Sequence, residues 1–198
     1  MPQRDIARCR RASLVCVCIG VGAITAASLA VPTSVGGLSE SDASPRTRER
    51  CPFAHATPGQ ARARSLGAAL RCLVNRHRRR HHIARLADAR VLDRIARRSA
   101  EDMRNRGYFG HTSPDGRGLR DRVHSAGMRS VGEVIAWGCG NLSSPAATVR
   151  QWLASPLHRR MVLSRRYTVI GAGVTNGAAG RACGPGASTS VALLGRPR

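Results

Sequence analysis

Apolar residues recur at helical spacing in two stretches of the first half of the chain. From Ser65 onward, Leu66, Leu70, Leu73 and Val74 fall on one face, and the stretch ends in the cationic run 76–82. Positive charge there suits the carbonyl end of a helix. A second helix has Asp88 as its cap, carries Val91, Leu92, Ile95, Ala96, Ser99 and Met103 along one face, and stops at Gly107. A short third helix is expected over 119–126, closed by Gly127, and 131–137 reads as a strand. Ser144-Pro145 opens a fourth helix with Val149, Trp152 and Leu153, because a hydroxyl cap followed by proline suits a first turn. Ser155-Pro156 restarts a further turn through His158 and Met161. Residues 167–174 and 188–194 read as strands joined by a long glycine-rich connection. Helices come first and strands later, an α+β order rather than the alternation of a parallel βαβ sheet.

The N-terminus sets the compartment. Residues 1–11 hold Arg4, Arg8, Arg10 and Arg11 against one acid, and 12–31 are uncharged, as in the two regions of an export signal. Small residues at Ser28 and Ala30 place the cut after Ala30, so that 1–30 is a signal peptide. The apolar stretch approaches the roughly 20 residues that span a bilayer, so an uncleaved anchor is the alternative. Gly20, Gly22, Thr25 and Ser28 weaken it as a permanent span, and none is expected after cleavage. Either way the arginines hold the N-terminus inside, which leaves the rest outside the cytoplasm, secreted or extracellular. Residues 31–50, rich in Ser, Pro, Gly and charge without apolar periodicity, read as a flexible linker, and the domain occupies 51–198.

Composition narrows the partners. All 33 basic residues are arginine, and the 198-residue chain carries a formal charge of +22. After cleavage 29 arginines face 10 acids, a net charge of +19. Such a field favours anionic partners, for example acidic cell-wall polymers or anionic lipid head groups. Two Phe, two Trp and two Tyr are too few for a base-stacking platform, so no specific nucleic acid is expected. Cys51, Cys72, Cys139 and Cys183 remain in the mature chain. No pair has the short spacing of a zinc knuckle, and an even number in an oxidising compartment points to disulfides, with three connectivities open. The favoured pairing is Cys51–Cys72, pinning the N-terminal segment to the first helix, with Cys139–Cys183 tying the loop after a strand to the glycine-rich connection. His77, His81 and His82 lie among arginines and read as a solvated face rather than a metal grip. Asp115-Gly116 reads as a tight turn, since the further oxygen ligands of a calcium loop are missing.

Three local motifs then follow in order. They are Gly107-Tyr108-Phe109-Gly110-His111-Thr112-Ser113-Pro114-Asp115-Gly116, then Val131-Gly132-Glu133-Val134-Ile135-Ala136, then Trp152-Leu153-Ala154-Ser155-Pro156-Leu157-His158-Arg159. Ile170-Gly171-Ala172-Gly173-Val174 comes after, and Ala100-Glu101-Asp102-Met103 stands before. Across about 66–195 the chain resembles the CAP superfamily of cysteine-rich secretory, antigen 5 and pathogenesis-related proteins, particularly its secreted bacterial members with a single SCP domain. The resemblance implies a three-layer α-β-α sandwich around a small antiparallel sheet, with a cleft lined by histidines and glutamate. The cleft residues fall on His111, Glu133 and His158. A second glutamate common in the family has no match at 151–154, Val134 stands where Asn is common, and 81–86 replaces the usual Gly/Pro-containing loop.

As bare chemistry, two imidazoles and a carboxylate can hold a divalent metal such as zinc with an open position, or do acid–base work. No serine, threonine or cysteine sits in a recognisable nucleophile elbow. Three readings of His111, Glu133 and His158 stay open: a hydrogen-bonded structural network, a metal-binding cleft, and the centre of a metal-dependent secreted hydrolase. The function expected first is an extracellular binding or interaction module, with the hydrolase as the alternative.

Overall fold

Two faces of one sheet are written into its strands by alternation. This computed structural model describes residues 50–180 and 183–198, so the expected signal peptide and, apart from Arg50, the linker lie outside the described residues. The sheet contains β1 (Ala87–Asp88), β2 (Met128–Gly138), β3 (Val169–Asn176) and β4 (Ser188–Pro197), in the order β1-β3-β4-β2. Val134, Ala136, Ile170, Ala172, Val174, Ala192 and Leu194 enter one apolar core, whereas Ile135, Val191 and Leu193 enter another. The period of two sends neighbouring residues to opposite faces. On the first face lie α1 (Ala63–Arg80) and α4 (Pro145–Ala154), which supply Leu66, Leu70, Val74, Val149 and Trp152. On the second lies α2 (Arg90–Asn105), which supplies Leu92, Ala96, Ala100 and Met103. The result is the expected α-β-α sandwich. Its β2–β4 and β3–β4 ladders are antiparallel, with a two-residue parallel addition where β1 meets β3.

Glycines set how closely α2 sits. A Cβ on Gly171 would run into Leu92 and Asp93, and one on Gly173 into Ala96 and Arg97, in each case reaching helix backbone. The run Ile170-Gly171-Ala172-Gly173-Val174 thus carries apolar bulk toward α1 and none toward α2. The helix lies directly on the strand.

Two expectations need correction. Asp88 is not the cap of α2: Ala89 precedes the helix without a side-chain cap. The N–H groups of Ala87 and Ala89 bond to Thr168 and Ile170 carbonyls, drawing Asp88 into the sheet edge, where its carboxylate meets Arg71 Nε at 3.1 Å. The cationic run at the end of α1 is not solvated throughout. Arg78 is 1% exposed and donates to the carbonyls of Ala84, Val162 and Ser164 at 2.8–2.9 Å. His81 and His82 are exposed, as expected. Asn75 fixes the following loop, its side chain exchanging two hydrogen bonds with the backbone of Leu86 (2.8 and 2.9 Å), as a strand neighbour would.

Cys51–Cys72 and Cys139–Cys183 are both disulfide-bonded, the pairing expected. The first closes a separation of 21 residues, and a loop of that order stabilises a fold by about 3 kcal/mol through the unfolded chain. The same segment is fixed again where Ala146 N–H, in the first turn of α4, donates to Ala54 O (2.8 Å).

Candidate functional site

β2 is an outermost strand, and the candidate residues gather along it. Glu133 sits on the face that Ile135 shares with α2, and its side chain is 1% exposed. A carboxylate so buried needs compensation. It comes from Arg122 on α3 (Leu119–Val123), whose guanidinium grips both oxygens, Nη1 to Oε2 at 2.8 Å and Nη2 to Oε1 at 3.1 Å. The same guanidinium donates to Ser99 Oγ on α2 (2.6 Å) and to the carbonyl of His111 (2.7 Å). α3 is held at its start by Asp121, which accepts from Gly118 N–H (2.7 Å), and is followed by a 3-10 turn that ends at Gly127 with φ +67°. That positive φ is where glycine belongs. Arg122 is thereby aimed under the loop that carries His111.

His111 Nδ1 donates to Glu133 Oε1 at 2.7 Å. A carboxylate can only accept, so a proton is on Nδ1, and the lone pair of the ring in its neutral form is on Nε2. Its side chain is 52% exposed. His158 comes from the other layer, on α5 (Pro156–Val162), where Pro156 opens the helix. Burial, and then the charge His111 carries when protonated, hold the His158 imidazole below its ordinary pKa of 6.5. Beside His158 runs a groove of about 220 Å³ lined by Phe109, Ile135, Trp137 and Trp152. The indole N–H of Trp152 is buried there without a hydrogen-bond partner among the described residues.

His158 is near enough for the charge of a protonated His111 to act on it, and Glu133 stands behind His111. Among the described residues, no three His, Cys, Asp or Glu side chains are placed to hold a metal ion together. Two imidazoles lie near one another, one of them oriented by a carboxylate, as metal-binding histidines are by their outer support. Sequence reasoning missed Arg122 and Ser99. The available signal was Glu133 itself: an acid within an apolar strand demands a cation, and the arginine-bearing helix just before β2 is the nearest source.

The CAP family model, that of the cysteine-rich secretory protein family, matches residues 72–190. The chain belongs to the cysteine-rich secretory protein family. Among curated proteins it is similar to the uncharacterized protein YkwD of Bacillus subtilis, at 32% identity over 51% of this chain and 39% of that one. The uncharacterized membrane protein YlbC of the same organism is 34% identical over 52% of this chain and 29% of its own length. The chain thus spans well under half the length of these relatives. Among solved structures, an extracellular protein containing an SCP domain from Bacillus anthracis aligns with TM-score 0.55 and 26% identity, over 68% of this chain and 41% of that one. An outer surface protein of Borrelia burgdorferi aligns with TM-score 0.56 over 65% of this chain and 90% of its own, and at 19% identity it shares the fold alone. No helix among the described residues is long and apolar enough to cross a membrane.

Proposed function

We propose that the chain is an extracellular binding module whose cleft takes a divalent metal such as zinc between His111 and His158. In this reading Glu133 is outer support and not a ligand. The observation that carries it is the engagement of Glu133: its oxygens are bound by Arg122 and by His111 Nδ1, which leaves the second ring nitrogen of His111 uncommitted to Glu133, with His158 near enough to feel the charge of that ring. The donor set fits zinc, which accepts neutral imidazoles readily. Bound there, the metal supplies a Lewis-acidic position for an anionic or carbonyl group. The chain's own residues hold the two rings, and the apolar groove beside His158 receives the less polar part of a ligand.

The hydrolase alternative draws less support. A carboxylate held at both oxygens is poorly placed to take a proton from water, and no activated nucleophile stands beside it among the described residues. An extracellular site agrees with the family, with the extracellular Bacillus anthracis neighbour and with two disulfides, which persist in oxidising compartments. The net positive charge supports contact with acidic wall polymers or anionic lipid head groups. Titration calorimetry with zinc at neutral pH tests the cleft. Stoichiometric binding that is lost in both His111→Ala and His158→Ala supports the reading, and binding unaffected by either substitution refutes it.

A further inference from the structure

Acidic side chains are confined to one part of the molecule. Every acid among the described residues lies in β1, α2, the loop after α2, α3 or β2, and each is engaged by an arginine or a backbone N–H. On the other side of the sheet, α1, α4, α5 and the segments 81–86 and 163–166 contain no acid. Arg71 of α1 reaches across to Asp88 and Asp93, but Arg80 on α1 and Arg159 on α5 have no ion-pair partner among the described residues.

The ends of α1 and α5 bring such cations together. Buried Arg78 donates to the carbonyls of Val162 and Ser164, both at 2.8 Å, and so pins the last turn of α1 to the end of α5. His77 precedes that anchor. Burial, and then the charges of His81, Arg80 and Arg159, hold its imidazole below the ordinary pKa of 6.5, which places charge from both helices within reach of one ring. The rings of His77 and His81 lie 4.7 Å apart between centroids. Arg165 adds a further cation: it donates to the carbonyl of His82 at 3.3 Å, and its charge acts on Arg78. Arg80, His81, His82, Arg159 and Arg165 are all exposed. Like charges held this close repel, and the bonds made by Arg78 keep the two backbones from separating. An anion among them relieves that repulsion.

We propose that Arg80, Arg159 and Arg165, together with His77 and His81, bind a linear phosphate polymer, so that successive phosphates meet guanidiniums from α1, from α5 and from the segment after α5. Guanidinium donates to phosphate oxygens through two parallel bonds, and such a polymer carries charge on every unit, which suits cations crowded at one end of a fold. A membrane surface fits less well, because docking there couples cations with apolar side chains that enter the head-group layer. Of the exposed large apolar residues Phe53, Phe109, Leu142 and Leu157, only Leu157 lies on these elements. The site rests on the extracellular reading and gives its anionic contact a location, while using neither His111 nor His158.

The test is fluorescence anisotropy of the full chain with a short, end-labelled inorganic polyphosphate. Two variants change net charge equally on opposite sides of the sheet: Arg80→Glu with Arg159→Glu, and Arg94→Glu with Arg98→Glu on α2, whose arginines are also exposed. The first pair is expected to weaken binding by about tenfold or more, as reversing charge at a complementary surface does, and the second by less than about threefold, since exposed charges farther away are screened. The milder pair Arg80→Gln, Arg159→Gln is expected to weaken binding in the same direction, and zinc binding is expected to be unchanged in all three. Equal weakening by the two glutamate pairs would overturn the site while leaving general attraction of anions standing. Failure of the parent chain to bind polyphosphate would overturn both. Tighter binding to vesicles of phosphatidylglycerol and phosphatidylcholine, lost in the first pair, would make the partner a membrane and overturn the polymer assignment.

Discussion

Arg78 and Arg122 are both sunk into the protein, yet they are satisfied by different groups. Arg78 has no carboxylate partner among the described residues: it donates to three backbone carbonyls, two of them more than 80 residues away, and burial holds its pKa below the ordinary arginine value. It joins the end of α1 to the loop at Ala84 and to the end of α5. Arg122 meets a charge, the buried carboxylate of Glu133, together with a hydroxyl and one carbonyl. The first arrangement uses a cation to tie chain segments; the second neutralises an acid inside a cleft. With Glu133 neutralised, the two histidines are the groups to which the proposed reading assigns the binding of a partner. Buried charge as such therefore does not mark the functional site. A buried pair with a ring attached to it does.

Removing each arginine separates the two roles. Arg122→Ala leaves Glu133 buried without its cation, and a loss of about 3–5 kcal/mol is expected in denaturant unfolding. A double change with Glu133→Gln should recover part of that loss, since the stranded charge is gone. Arg78→Met should cost less, about 1–3 kcal/mol, because it orphans carbonyls while relieving the burial of a guanidinium. Zinc binding should survive Arg78→Met at temperatures where the variant is folded and weaken in Arg122→Ala, whose cleft loses the support of His111.

The smallest effect concerns pH. The folded state holds the His158 pKa below 6.5, so the unfolded chain takes up the proton more readily. Stability from this group is complete above about pH 6.5 and declines as the pH falls through the window down to the lowered value. Equilibrium unfolding of His158→Gln beside the parent, measured at a series of pH values, should show a shallower acid decline in the variant. An identical decline would mean that His158 is not kept neutral by its surroundings.

Much of this architecture is legible in the amino-acid order. Strong periodicity marks α1, α2 and the alternating strands, and Ser144-Pro145 marks the start of α4, where Ser144 Oγ accepts from Ala147 N–H (3.4 Å). The motifs carry His111, Glu133 and His158, and of the three connectivities the cysteines allow, the favoured one is the one formed. Arg122 is hidden because every basic residue in the chain is arginine, so one more in Arg120-Asp121-Arg122 carries no signal of its own. Arg78 is hidden for the same reason within a run of cations. β1 cannot be read at all: its two residues are too short for a pattern, and they are strand only because Thr168 and Ile170 offer carbonyls. Burial of a polar group is set by distant segments, and local sequence reports it only where the residue type is rare.

The central claim is that Glu133 supports the cleft without ligating in it. Anomalous diffraction from crystals grown with zinc tests this directly. The account predicts a metal peak about 2.0–2.1 Å from a nitrogen of both His111 and His158, with Glu133 still gripped by Arg122. A metal bound to Glu133 oxygens with Arg122 displaced, or no peak between the two histidines at saturating zinc, would contradict it.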